Sequence, residues 1–102
     1  MSHPGRAPQK NENIKPMGWT VKNKRLQKTY RFKTFKEGIK FLNHLVPVAE
    51  KADHHPDLNV RYNQIRVSLT THSEKRITEK DYKLALEIEK VYLKRMVKND
   101  KR

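Results

Sequence analysis

Cysteine is absent from the 102 residues, which rules out disulfides, thiolate nucleophiles and cysteine-ligated zinc or iron-sulfur sites. Glycine is nearly as scarce: three scattered copies cannot build a glycine-rich phosphate loop. No apolar run approaches the ~18 to 20 residues of a membrane span, and the N-terminus lacks the hydrophobic stretch of a secretory signal. The chain therefore reads as soluble, with the cytoplasm as its expected location. Acidic residues are the remaining shortage, since 11 Asp and Glu stand against 24 Lys and Arg, for a formal net charge of +13. Such a surplus attracts polyanions. It is spread along the chain, however, thickening at 22–36 and 94–102, and neither an aromatic-basic RNA-binding signature nor a zinc-finger spacing accompanies it. A solvated lysine-rich surface is the expectation, and nucleic acid the less favoured partner.

What is present fits one small domain, burying ~60 to 65% of the surface its unfolded chain exposes. Hydrophobic and charged residues each make up 34%, so every apolar stripe carries information. Residues 1–16 hold three prolines and few apolar side chains, a composition that cannot bury itself and predicts a flexible tail. The domain is expected over 17–98, with a basic end at 99–102.

Trp19, Val21, Leu26, Tyr30 and Phe32 alternate with polar residues, the period of half-buried strands. A turn at Asn23-Lys24 would pair Val21 with Leu26 in an antiparallel hairpin. Lys28 then falls on the core side, where its long stem is expected to snorkel to solvent. Thr34 and Glu37 form a capping box opening a helix, continued by Phe35, Ile39, Leu42, Val46 and Ala49 at helical spacing toward Ala52. Pro47 lies inside it and predicts a kink or break near 45–47.

A second hairpin follows. With a turn at Asn63-Gln64, opposed residue numbers sum to ~127, a register in which Leu58, Val60, Tyr62, Ile65, Val67 and Leu69 share one face. The same register sets His55 opposite His72, at the ~4.5 to 5.5 Å between Cβ atoms of paired residues. A second capping box, Thr78 to Asp81, opens the last helix. Its main stripe is Ala85, Ile88 and Tyr92, flanked by Leu84 and Val91. Leu86, Leu93 and Val97 trace a second apolar line, which fits either self-association through helix packing or, with equal weight, a frayed Val97 and a Leu86 and Leu93 that flank the core.

Three of the five histidines, His54, His55 and His72, are the ones a folded core can gather. Imidazole titrates near neutrality and serves as acid and base. Spacing alone leaves three readings open: proton transfer, a divalent metal on three histidines, or a structural or idle role in which Pro56 merely holds His55 extended. His3 and His44 read as tail and helix-surface residues.

The spaced set of Glu50, His54-His55-Pro56, Tyr62, His72 and Asp81, with Gly18-Trp19, Tyr30-Arg31-Phe32 and Tyr62-Asn63, resembles the pterin-4a-carbinolamine dehydratase family over about residues 17–95. The resemblance implies an α+β fold, a four-stranded antiparallel sheet built as strand-strand-helix twice with helices on one face. It implies a homo-oligomer, dimer or tetramer, and no cofactor or metal. The implied reaction dehydrates a 4a-hydroxytetrahydropterin to the quinonoid dihydropterin, recycling the cofactor of aromatic amino-acid hydroxylases. On this reading His54, His55 and His72 are catalytic, with His54 and His72 the acid-base pair and His55 positioning substrate. Glu50, Asp53, Pro56 and Asp81 are the expected substrate-binding set, their carboxylates orienting an imidazole or meeting the polar edge of the pterin. The sequence departs from the pattern at Leu58, where many relatives carry an aromatic, at Pro47, and in its charge. The rival readings are a non-catalytic dimerisation cofactor or a nucleic-acid-binding protein.

Overall fold

The computed structural model describes residues 15–16 and 18–100, with side chains through 94. Six elements follow one another: β1 (Thr20–Lys22), β2 (Arg25–Arg31), α1 (Phe35–Ala52), β3 (Asp57–Arg61), β4 (Gln64–Leu69) and α2 (Glu79–Asp100). The strands form one antiparallel sheet in the order β1-β2-β4-β3. This is the expected strand-strand-helix unit repeated. The predicted tail lies outside the described residues except at its end, where Pro16 is buried and its carbonyl accepts from the Trp19 amide at 3.2 Å.

The first hairpin closes as expected, with Val21 opposite Leu26. Asn23 and Lys24 both adopt positive φ, 53° and 60°, the geometry whose twist matches that of the flanking strands. The inward residues Leu26 and Tyr30 of β2 and Ile65, Val67 and Leu69 of β4 are all buried beneath the helices. Phe41, Leu45 and Ala49 of α1 and Leu84, Ala85 and Ile88 of α2 complete the core. Tyr30, Phe32, Phe41 and Tyr92 interlock with ring centroids between 4.7 and 5.9 Å apart, contacts that add ~0.5 to 1.5 kcal/mol per pair beyond area burial. A Cβ on Gly38 would stand 3.3 Å from Ile65 and 3.4 Å from Phe32, so glycine lets α1 settle closely on the sheet.

Four expectations are corrected. The register of the second hairpin pairs Val60 with Ile65 and Leu58 with Val67, because the chain turns at Tyr62-Asn63, one residue earlier than expected. Tyr62 takes φ 54°, and Asn63 is fixed by bonds to Phe32, its carbonyl accepting from the Phe32 amide at 2.9 Å and its Nδ2 donating to the Phe32 carbonyl at 3.0 Å. The opposed numbers thus shift by an even step, which keeps the strand residues on their expected faces but moves Tyr62 off the apolar face into the turn, 71% exposed, and removes the pairing of His55 with His72. Helix α1 runs unbroken through Pro47; Pro47 and Asn43, whose carbonyl loses its partner, are both exposed, so water can satisfy the orphan. Lys28 does not reach for solvent but meets Glu89 of α2 at 2.9 Å. Finally, Leu58 and Val60 share a face with the core yet are 44% and 41% exposed, because β3 is an edge strand.

The two helix starts follow the sequence. The Glu37 amide donates to Thr34 Oγ1 at 3.1 Å, and Asp81 reaches back to accept from the Thr78 amide at 2.9 Å. Leu86 and Leu93 are exposed at 42% and 51%, as the second apolar line requires, while Val97 lies outside the residues with described side chains. No helix among the described residues is long and apolar enough to cross a membrane.

Candidate active site

Helix α1 ends at Asp53, which takes the left-handed conformation (φ 54°, ψ 41°) and donates its amide to the carbonyls of Ala49 and Glu50. The His54 amide also returns to the Ala49 carbonyl, at 3.2 Å. Such a cap satisfies orphan carbonyls and reverses the chain sharply. The reversal turns His54 inward toward α2, leaves His55 outside, and delivers Pro56 and Asp57 to the start of β3.

His54 Nε2 lies 2.6 Å from Asp81 Oδ1, and the Asp81 side chain is fully buried. Its second oxygen accepts from Thr71 Oγ1 at 2.8 Å and from the Thr78 amide at 2.9 Å. The hydroxyls of Thr71 and Thr78 are themselves 2.6 Å apart. A buried carboxylate is tolerated only when its lone pairs are filled, and here three donors fill them. Because an ionised carboxylate only accepts, the contact requires an N–H on Nε2, leaving Nδ1 of a neutral His54 as the free proton acceptor. The imidazole is thereby fixed in tautomer and direction.

The other two imidazoles are held more loosely. His55 Nε2 meets Glu50 Oε2 at 2.7 Å with both side chains more than half exposed. His72 sits in the 72–75 turn, 69% exposed, with Nε2 3.8 Å from Asp57 Oδ2. Asp57 in turn accepts from Arg25 at 2.7 Å. His54 and His55 therefore leave the short segment 53–57 in different directions while His72 approaches it at Asp57, and among the described residues His54 and His72 border different openings. His54 borders an opening of about 690 Å³ between the helices, with Val48, Lys51, Lys83 and Leu84. His72 borders one of about 460 Å³ on the sheet, with Arg66 and Asp57. No cluster of potential metal ligands occurs among the described residues.

Of the expected binding residues, Glu50 and Asp81 each orient an imidazole, Asp53 caps α1, and Pro56 is half-buried in the segment between them. His44 lies on the helix surface as expected, bonding its own helix at the Lys40 carbonyl, 2.8 Å away; His3 lies outside the described residues. Sequence reading missed Thr71. Its signal was nonetheless present, since Thr71 continues the inward parity of Ile65, Val67 and Leu69, and a hydroxyl there must find a buried partner. Glu89 was missed as well. It accepts from Trp19 Nε1 at 3.2 Å, Lys28 Nζ at 2.9 Å and Tyr30 Oη at 2.5 Å, tying the first hairpin to α2.

Comparison with known proteins agrees with this architecture. The family model described as pterin 4 alpha carbinolamine dehydratase matches residues 4–91. A Sulfolobus acidocaldarius protein provisionally named a pterin-4-alpha-carbinolamine dehydratase is 47% identical over 74 residues, covering 72% of this chain and 81% of its own. A Trichormus variabilis protein of the same provisional name is 42% identical over 87 residues, covering 85% and 94%. Among solved structures, the transcriptional coactivator/pterin dehydratase from Brucella melitensis is similar at TM-score 0.70 and 34% identity, covering 74% of this chain and 82% of that one. A pterin dehydratase-like protein identified as a RuBisCO assembly factor in the alpha-carboxysome shares the fold at TM-score 0.60 and 17% identity, covering 78% and 92%.

Proposed function

The chain belongs to the pterin 4 alpha carbinolamine dehydratase family, and from that premise we propose that it catalyses the dehydration of a 4a-hydroxytetrahydropterin to the quinonoid dihydropterin. The observation that carries the proposal is the His54–Asp81 contact of 2.6 Å with Asp81 fully buried. A merely solvated histidine needs no desolvated carboxylate behind it, and burying one is costly. A general base does need its tautomer and direction held.

The reaction is redox-neutral. A base removes the proton on N5, the freed electron pair forms the N5–C4a double bond, and the C4a–O bond breaks as the hydroxyl takes a proton and leaves as water. His54, with Nδ1 free, suits the base. His72, exposed beside Asp57, suits the acid that protonates the leaving hydroxyl, and His55, steered by Glu50, positions the ring. The exposed Leu86 and Leu93 of α2, with Leu58 and Val60 on β3, support a homo-oligomer, in which these surfaces would be covered.

The test is a dehydratase assay on a synthetic 4a-hydroxytetrahydropterin, with and without chelator, for the wild type and for His54→Ala and His72→Ala. Turnover insensitive to chelator and reduced in both variants is expected. Activity near wild type in both variants would overturn the assignment, and loss on chelation would replace it with a metal-dependent one.

A further inference from the structure

The helix-free face of the sheet, at one end of which Arg66 and Asp57 border the His72 opening, carries a wider feature that the proposed dehydration does not account for. Directly opposed residues of antiparallel strands project to the same side, so the registers read this face row by row. Arg31, Gln64 and Arg61 form one row across β2, β4 and β3, and Thr29, Arg66 and Asn59 form the next. Lys22 and Arg25 oppose each other further along. Every outward position of the four strands is polar, and Asp57 is the only acid among them.

The cations are sorted by type. Four of the chain's eight arginines stand here, Arg25, Arg31, Arg61 and Arg66, against one of its sixteen lysines, Lys22. A solvated lysine surface would show no such sorting. The guanidinium is weakly hydrated and forks onto phosphate oxygens, which makes arginine the residue of phosphate recognition. Arg25 is occupied by Asp57 and Ser68, at 2.7 and 3.0 Å. The guanidiniums of Arg31, Arg61 and Arg66 are exposed and make no bond or ion pair among the described residues.

We propose that this face binds the phosphate backbone of duplex nucleic acid, independently of sequence. Neighbouring strands lie ~4.8 Å apart and alternate residues ~6.7 Å apart along a strand, so Arg31 and Arg61 stand ~10 Å apart with Arg66 one row away. Phosphates two nucleotides apart on one strand are separated by ~7 Å of helix rise, the same scale. No outward strand position is aromatic, and the exposed Tyr62 in the turn at its edge is a single ring where stacking of successive unpaired bases needs several, which disfavours a single strand. No apolar side chain stands there to insert among lipids, which disfavours a membrane. Gln64, Thr29 and Asn59, interleaved with the arginines, add neutral donors of the kind that position a phosphate backbone.

The experiment measures anisotropy of a labelled 20-base-pair DNA duplex against salt. It uses the full chain, the triple variant Arg31→Gln/Arg61→Gln/Arg66→Gln, and a charge-matched control, Lys80→Gln/Lys83→Gln/Lys94→Gln, on α2. Urea unfolding verifies that all three are folded. Four neutralised phosphates, one each for Arg31, Arg61, Arg66 and Lys22, predict a slope of log K on log salt of about −3.6, and the sheet variant, which removes three, should be shallower by about 2.7. Its affinity at 100 mM salt should fall at least ~30-fold, consistent with three lost phosphate contacts, while the control stays within about twofold. Equal losses in the two variants, no wild-type binding at physiological salt, or preference for a single strand or for anionic vesicles over the duplex would each overturn the proposal.

Discussion

Helix α2 carries two inward carboxylates, Asp81 and Glu89, and each gathers three donor groups. Glu89 takes Trp19, Lys28 and Tyr30, fastening the first hairpin to the helix. Asp81 takes Thr71, the Thr78 amide and His54. The device is the same, a carboxylate desolvated and repaid by donors, but the partners differ. None of the Glu89 donors is an imidazole, the side chain suited to act as both acid and base, whereas His54 is one and keeps a ring nitrogen outside its contact with Asp81. One network holds the fold together; the other also holds in place the imidazole proposed to transfer the proton. A polar anchor becomes a candidate site when one of its donors is an imidazole with a second ring nitrogen left over.

That contrast is sharpest in turnover. His54→Ala is expected to lower kcat by about 10² to 10⁴-fold, the range for a positioned acid or base, whereas Glu89→Gln should leave turnover per folded molecule unchanged. Equal losses in both would erase the distinction. Stability comes next. Asp81→Ala strips the Thr78 amide and His54 of their acceptor and leaves the Thr71 hydroxyl only its contact with Thr78, and should cost about 3 to 5 kcal/mol by urea unfolding. Glu89→Gln, which keeps an acceptor but strips the charge opposite Lys28, should cost about 1 to 3 kcal/mol.

Alkaline pH isolates the Glu89 network. Burial first, and then the hydrogen bond to Glu89, hold the Tyr30 phenol well above its ordinary value of 10.0. As pH rises past that value the unfolded chain releases the proton and the folded chain keeps it, so the unfolded state binds fewer protons and stability falls. Below it the contribution is fully present. Tyr30→Phe should therefore flatten the decline in urea midpoint between pH 9 and 11; an unchanged slope would remove Tyr30 as its source. The smallest effect is expected at Glu50→Ala, where an exposed pair is worth about 0 to 1 kcal/mol. That variant should raise KM more than it lowers kcat if His55 positions substrate, and a pure kcat loss would reassign His55 to the chemistry.

Much of the fold was legible because its signals are local. Thr34 and Glu37 announce a helix start, and Asn23-Lys24 closes a hairpin between alternating runs. Inward and outward parity survived even the misplaced turn at Tyr62, since displacing the turn by one residue changes the opposed numbers by an even step. The histidines, too, were singled out by residue type and spacing. Errors arose where a local rule met a distant partner. Lys28 has the stem to snorkel, but Glu89, 61 residues away, offers a charge under the sheet. Pro47 breaks helices in isolation, but buried neighbours at Leu45 and Ala49 hold this one together.

Sequence by itself determined which residues are strands and helices, which side of the sheet each residue faces, and which imidazoles are available, because periodicity and capping act within a few residues. Only the tertiary structure decided that His54, not His55, receives the buried carboxylate, and that four arginines share one open face. The first depends on the left-handed cap at Asp53, which aims two adjacent side chains in opposite directions. The second depends on strand order and register, which join residues as far apart as Arg31 and Arg61 through long-range pairing that no local window contains.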